Sequence, residues 1–226
     1  MKWLTAVLLA IAAVLAGLLV YRSRVPPALS GGTAIDTPVS LPALKLVNDH
    51  GKATTLAASD GRMRLVFYGF VHCPDVCPTT LASLKNTYEG LTPEQQSKVR
   101  VQFISVDPVV DTPQLVREYL NRFDPAFTGL TGTNEAVNAA AKAMFVGLVD
   151  NRPATDHSGH ESHAAASPDA DHGDKGTSAT EAALIHGDQV SIVTADGKFV
   201  RVYNNTEALD GTLKHDLPAL ISKYGS

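Results

Sequence analysis

An α/β fold with a central mixed sheet flanked by helices is predicted by three observations. Compact apolar runs rich in β-formers alternate with amphipathic segments of helical period. Two later runs flank Asp196-Gly197, a strong hairpin signal. A helical segment closes the chain, and strand–helix alternation followed by a hairpin implies one sheet covered by helices. An apolar stretch ahead of this domain is expected to be an N-terminal transmembrane helix.

Residues 3–21 read WLTAVLLAIAAVLAGLLVY and carry no charge, about the length that crosses the hydrocarbon core as a helix. Trp3 and Tyr21 stand at its ends, where amphipathic rings favour the membrane interface. A cleaved signal peptide would have a shorter apolar region and a small-x-small site, and no such site follows Val20. Residues 1–24 are therefore expected to be an uncleaved anchor. Lys2 favours a cytoplasmic start, whereas Arg22 and Arg24 pull the other way. Residues 25–38 are rich in Pro, Gly, Ser and Thr and read as an extended tether, with the folded domain over 39–226.

Within that domain, Leu41, Leu44, Leu46 and Val47 with the Asp49-His50-Gly51 turn predict a small β-hairpin. Residues 64–71 form an apolar run consistent with a strand buried on both faces. Residues 79–90 read as a helix with Leu81, Leu84 and Tyr88 on one face. Residues 99–106 are a second buried strand. A helix over 112–123 carries Pro113 in its first turn, where a missing N–H costs nothing. A short strand over 127–130 and an Ala-rich helix over 134–145 follow. Strands over 189–195 and 198–203 make the hairpin, and a helix over 206–224 is expected to bend or break at Pro218.

Residues 150–181 break the pattern. They are low in apolar bulk and place His157, His160, His163 and His172 among acidic residues, so composition implies a mobile surface insertion. Imidazoles three apart also suit copper, zinc or nickel, which makes a metal-gathering loop the second reading after a solvated linker.

The 226 residues are 44% hydrophobic, enough for one core. The net charge is −4 with no Lys/Arg cluster in the body, which argues against nucleic acid as a partner. Only two cysteines occur, close together; they mark a site rather than a disulfide scaffold.

Cys73 and Cys77 are separated by three residues, one more than in the redox C-x-x-C. Where the loop turns into a helix, a spacing of four brings both side chains to one face, and a helix start favours anions. Two sulfurs on an exposed loop are soft ligands, suited to Cu(I) more than to Mg or Ca. They could equally close into a disulfide, which over so short a loop would contribute little as a purely structural link. A Cys pair just after the first buried strand makes the thioredoxin-like fold the natural candidate. In that fold the segment leading into the strand at 189–195 faces the Cys loop, which makes His186 the best third ligand. His72 could compete, but neighbouring residues usually point apart. Tetrahedral zinc would want a fourth protein ligand that this set does not obviously supply.

From about residue 39 to 224 the chain resembles the Sco/SenC family, assembly factors for the copper A centre of cytochrome c oxidase. Gly69-Phe70-Val71-His72-Cys73-Pro74-Asp75-Val76-Cys77-Pro78-Thr79-Thr80-Leu81 matches the family's Cys motif nearly throughout. Ile104-Ser105-Val106-Asp107-Pro108 with Asp111-Thr112, and Gly129-Leu130-Thr131-Gly132, match two further signatures. His186 falls where the family's copper-binding histidine is expected. The resemblance implies Cu(I) and Cu(II) binding by Cys73, Cys77 and His186, and copper transfer or thiol–disulfide exchange with oxidase subunit II. It also implies contact with other copper chaperones and a single-pass anchor in the inner membrane, the domain lying in the periplasm or the mitochondrial intermembrane space. Asp75 and Asp107 are candidate supporting residues, with N-capping or turn formation as the plainer alternative. Two departures stand out: Val109-Val110 replace a charged pair, and Ile185 replaces an acidic residue before the histidine, which removes a carboxylate that would orient the imidazole.

Two other functions stay open. One is a thiol–disulfide oxidoreductase acting on a cuproprotein's cysteines, for which the longer spacing and the Pro-free Gly187-Asp188-Gln189 depart from the thioredoxin pattern. The other is a copper-dependent redox sensor using the same ligands.

Overall fold

The computed structural model describes residues 2–24, 28–148, 185–186 and 189–225. Seven consecutive buried residues put β4 (Met63–Gly69) at the heart of the domain. A strand covered on both faces needs apolar side chains on each. Met63, Leu65 and Phe67 enter one core while Val66 and Tyr68 enter the other. β5 (Val99–Ser105) runs parallel to it, with Phe67 opposite Phe103 and Gly69 opposite Ser105. β5 divides in the same way: Val101 and Phe103 face the first core and Ile104 the second.

Around this pair lie β1 (Thr33–Ser40), β2 (Lys45–Asn48), β3 (Ala53–Thr55), β6 (Thr128–Thr131), β9 (Gln189–Val193) and β10 (Lys198–Asn204). The eight strands form one mixed sheet in the order β1-β10-β9-β4-β5-β6-β2-β3. The first core packs α2 (Val76–Glu89), α4 (Pro113–Leu120) and α7 (Thr212–Tyr224) on one face. The second packs α5 (Asn134–Ala143) on the other. The architecture is the expected thioredoxin-like one, a mixed sheet between helical layers.

Local chemistry sets the element ends. Thr112 caps α4 by accepting the Leu115 N–H at 3.2 Å, and Pro113 follows at the first helical position. Thr133 caps α5 in the same way through Ala136. The two hairpins turn at Gly51 (φ +74°) and Gly197 (φ +84°), a left-handed conformation that glycine adopts without steric cost.

The structure departs from expectation at three places. The stretch read as a tether already contains β1, paired antiparallel with β10; its polar composition hides an edge strand with one half-buried face. The closing helix breaks at Asp210–Gly211 rather than at Pro218. Gly211 has φ +93°, separating a short α6 (Asn205–Leu209) from α7, and α7 runs through Pro218 because Leu217, Leu220 and Ile221 hold it against the sheet. A two-residue ribbon, β7 (Gly147–Leu148) with β8 (Ile185–His186), was too short to leave a periodic signal. A fourth feature, α3 (Pro93–Gln96), is a single capped turn. The His-rich stretch 150–181 lies outside the described residues.

Residues Lys2–Arg24 form α1. Of its described side chains, Val7, Ile11, Val14, Leu15 and Leu18 are exposed. Among the described residues no helix is long and apolar enough to cross a membrane.

The start of the folded domain is pinned by Asp216, which is 1% exposed. Its carboxylate accepts the N–H groups of Ser30 and Gly31 at 2.8–2.9 Å, the Ser30 hydroxyl at 2.7 Å and the Tyr203 hydroxyl at 2.9 Å. Burial pushes the carboxyl up, but these bonds, with His215, outweigh it and hold it well below the usual carboxylate range. A depressed folded pKa contributes stability above the unfolded value, near 3.9, that is lost as pH falls. Asp216→Ala is expected to cost roughly 3 kcal/mol in urea unfolding. The wild-type melting temperature should fall as pH drops below about 4, and part of that fall should be missing in the variant.

Candidate metal centre

β4 and β5 are parallel, so both leave the sheet at the same edge. β9 is antiparallel to β4, with Phe67 opposite Val190, so it enters the sheet at that edge. Three segments therefore converge there: the loop carrying the cysteines, the loop after β5, and the residues leading into β9.

The Cys loop folds tightly, its Cys73 N–H bonded to the Phe70 carbonyl at 3.2 Å. α2 begins at Val76 with Asp75 at the N-cap, yet the Asp75 side chain makes no capping bond. The sulfur of Cys73 does this instead, accepting the Cys77 N–H at 3.4 Å. An unpartnered N–H at a helix start needs an acceptor, and a sulfur placed there lies in the field of the helix dipole. Both cysteines are thiols in the first apolar core, Cys77 buried and Cys73 half-buried.

The position of Cys77 depends on a glycine. A Cβ on Gly69 would lie 2.7 Å from Cys77 Sγ and 2.8 Å from Phe103 Cε2. The missing side chain at the end of β4 is thus the cradle in which the sulfur rests. Tyr119 packs on Phe103 at 5.9 Å and on Phe123 at 5.3 Å, ring centre to ring centre. Its hydroxyl is buried and has no hydrogen-bond partner among the described residues. Burial, then the neighbouring Cys77 and Cys73, push the phenol above its usual range. Two sulfurs in an aromatic-walled corner, one buried and one half-buried, fit a soft monovalent ion such as Cu(I).

His186 is placed by its backbone in β8, opposite Gly147 and three residues ahead of the start of β9. Its side chain lies outside the described residues, and among those no group of three or more metal-ligating side chains occurs. His72 is exposed. Asp107 shapes a turn through its backbone, accepting the N–H of Val110 at 3.2 Å and of Asp111 at 2.8 Å. Val109 is 71% exposed at the tip of that turn.

Two residues at the site escaped sequence reasoning as functional: Gly69 and Asp111. Both lie inside quoted motifs, but only the geometry shows what each touches. Asp111 is 1% exposed and accepts the Val71 N–H at 3.0 Å and the Ser105 hydroxyl at 2.7 Å.

Comparison with known proteins gives one family. The model described as SCO1/SenC matches residues 34–221. Over 120 residues, 53% of the chain, the sequence is 34% identical to a Stutzerimonas stutzeri protein named for copper binding. The match spans 57% of that protein's length, and 37% and 34% of the next two relatives. Among solved structures, apo Sco1 from Thermus thermophilus is 31% identical with a TM-score of 0.62, covering 84% of this chain and 95% of that one. Copper-bound ScoI of Bradyrhizobium japonicum is 28% identical with a TM-score of 0.51, covering 79% and 98%.

Gly69→Ala should push the Cys77 sulfur out of its cradle. The expected result is a loss of about 1–3 kcal/mol in unfolding. Mass-spectrometric alkylation should show Cys73 reacting well before Cys77 in the wild type, and the two rates drawing together in the variant.

Proposed function

The chain belongs to the SCO1/SenC family, and on that premise we propose that it is a copper-binding assembly factor whose cargo is held by Cys73, Cys77 and His186. The observation that carries this reading is the convergence of the Cys loop and the lead-in to β9 at one edge of one sheet. Two thiolates suit Cu(I), and an added imidazole extends the site toward Cu(II). Cys73 is half-buried while Cys77 is buried, so the outer sulfur is the one an acceptor meets first.

The Sco family is one of cytochrome c oxidase assembly proteins. The receiver proposed here is accordingly the copper A site of oxidase subunit II, with other copper chaperones as the source. Helix α1 is proposed to anchor the domain in the membrane. Its uncharged run over 3–21 and its exposed apolar side chains support this. The domain would then stand in the periplasm, or in the intermembrane space of a mitochondrion. The folded domain has already begun at residue 30, because Ser30 and Gly31 are tied to Asp216.

A second reading, reduction of the acceptor's own cysteines, is favoured by two cysteine thiols four residues apart at one helix start, the outer one half-buried. Attack by an accessible sulfur on a disulfide needs such a neighbour as the resolving thiol. Gene deletion separates the two: an oxidase defect rescued by added copper supports delivery, and one rescued only by an added reductant supports disulfide reduction.

The reduced chain is expected to bind one copper. Cys73→Ala and Cys77→Ala should each abolish tight binding, and His186→Ala should weaken Cu(II) more than Cu(I). Copper titration against a chelating competitor checks all three. Full affinity in the double cysteine variant would contradict the assignment and point to the His-rich stretch instead.

A further inference from the structure

We infer that Asp111 is the positioning residue of the metal loop: its carboxylate fastens the cysteine-bearing loop after β4 to the loop after β5. The inference rests on the copper reading for its purpose but on separate geometry for its substance.

The paired strands end side by side, Gly69 opposite Ser105, and the Val106 N–H continues the pairing by bonding to the Gly69 carbonyl at 2.9 Å. Beyond that point the two chains diverge, and the backbone ladder ends. Asp111 closes the gap. One oxygen accepts both the Val71 N–H at 3.0 Å and the Ser105 hydroxyl at 2.7 Å, while Ser105 Oγ accepts the Asp107 N–H at 3.1 Å. The Asp111 N–H returns to the Asp107 carbonyl at 2.8 Å, so the carboxylate stands on a closed turn. Val71 lies two residues before Cys73, and with the Cys73 N–H to Phe70 carbonyl bond this contact fixes the loop leading to the sulfur.

A buried carboxylate is an expensive clamp. It is 1% exposed, its other oxygen has no partner among the described residues, and burial raises its pKa. A neutral side chain would join the same loops at lower cost. What the carboxylate adds is a strong, short-range hold on one N–H, and hydrogen bonds to a charged acceptor are roughly twice as strong as neutral ones. That hold keeps the loop turned so that Cys73 Sγ meets the Cys77 N–H. Asp111 acts through the backbone of Val71.

The test compares wild type, Asp111→Ala, Asp111→Asn and Ser105→Ala in the full chain. Each is read by Cu(I) affinity against a chelating dye, by the sulfur-to-Cu(II) absorption band, and by the reduction potential of the Cys73–Cys77 pair without metal. Asp111→Ala should lower Cu(I) affinity about 10–100-fold, the usual effect of removing an outer partner. It should also shift the absorption band and move the dithiol–disulfide equilibrium about tenfold, about 30 mV for two electrons. Asp111→Asn keeps an acceptor for the Val71 N–H and should recover most of the affinity and the wild-type band. Ser105→Ala, which removes one arm and leaves the Val71 bond, should give a smaller shift in the same direction. This variant decides the matter should Asp111→Ala melt below the assay temperature. Wild-type values in Asp111→Ala would overturn the inference, and so would an Asn variant as impaired as the Ala variant or an unshifted Ser105→Ala. If the wild type takes up no copper, the copper reading fails, while the metal-free potential still judges Asp111.

Discussion

A single contact organises the site: the Cys77 sulfur sits where a side chain on Gly69 would otherwise be. Gly69 ends the strand that both cores are built around, so the sulfur is indexed to the most rigid part of the domain. From there the rest follows by covalent reach. Cys77 stands in the first turn of α2, the helix start positions its N–H toward Cys73, and the sulfur of Cys73 replaces the capping group that Asp75 does not supply. A larger residue at the end of β4 would separate the two sulfurs from the sheet and from each other.

Polar groups elsewhere are buried for shape. Arg64, near the opposite end of β4, donates to the Leu56 carbonyl at 2.9 Å and to Gln102 at 3.1 Å, and burial lowers its pKa to about 10. Asp49 accepts Arg117 at 2.7 Å and the Gly129 N–H at 3.0 Å, locking the first hairpin to α4 and β6. These groups lie between elements that must not move. Tyr119 and Asp111 lie near the cysteines instead, and each leaves an oxygen unpartnered among the described residues, as are buried atoms of Arg64, Arg117 and Thr131.

Much of this was legible in the residues. The apolar run from Leu65 to Val71 pointed to a doubly covered strand, and Phe67 in the first core with Val66 and Tyr68 in the second bears that out. Asp196-Gly197 marked its hairpin through the glycine's left-handed turn. The cysteine spacing marked a helix start, and the Cys77 N–H in the first turn of α2 donates to Cys73 Sγ there. What was not legible depends on partners distant in sequence. β1 has polar, exposed residues, and only its pairing with β10 makes it a strand. Pro218 looked like a break because a proline removes a donor, but packing on the sheet overrode it and Gly211 took that role. Gly69 looked like one more strand residue, since nothing local says that a sulfur eight residues later fills its place. Asp111 was quoted within a signature, yet the N–H it holds lies 40 residues away.

The proposed copper site is two sulfurs and an imidazole at one sheet edge, with the Asp111 carboxylate proposed to hold the loop in place. X-ray absorption at the copper edge of the copper-loaded full chain measures that donor set directly. The expected spectrum has two sulfur neighbours and one imidazole nitrogen. A shell of nitrogens without sulfur would contradict it, and would move the bound copper from the folded domain to the His-rich stretch.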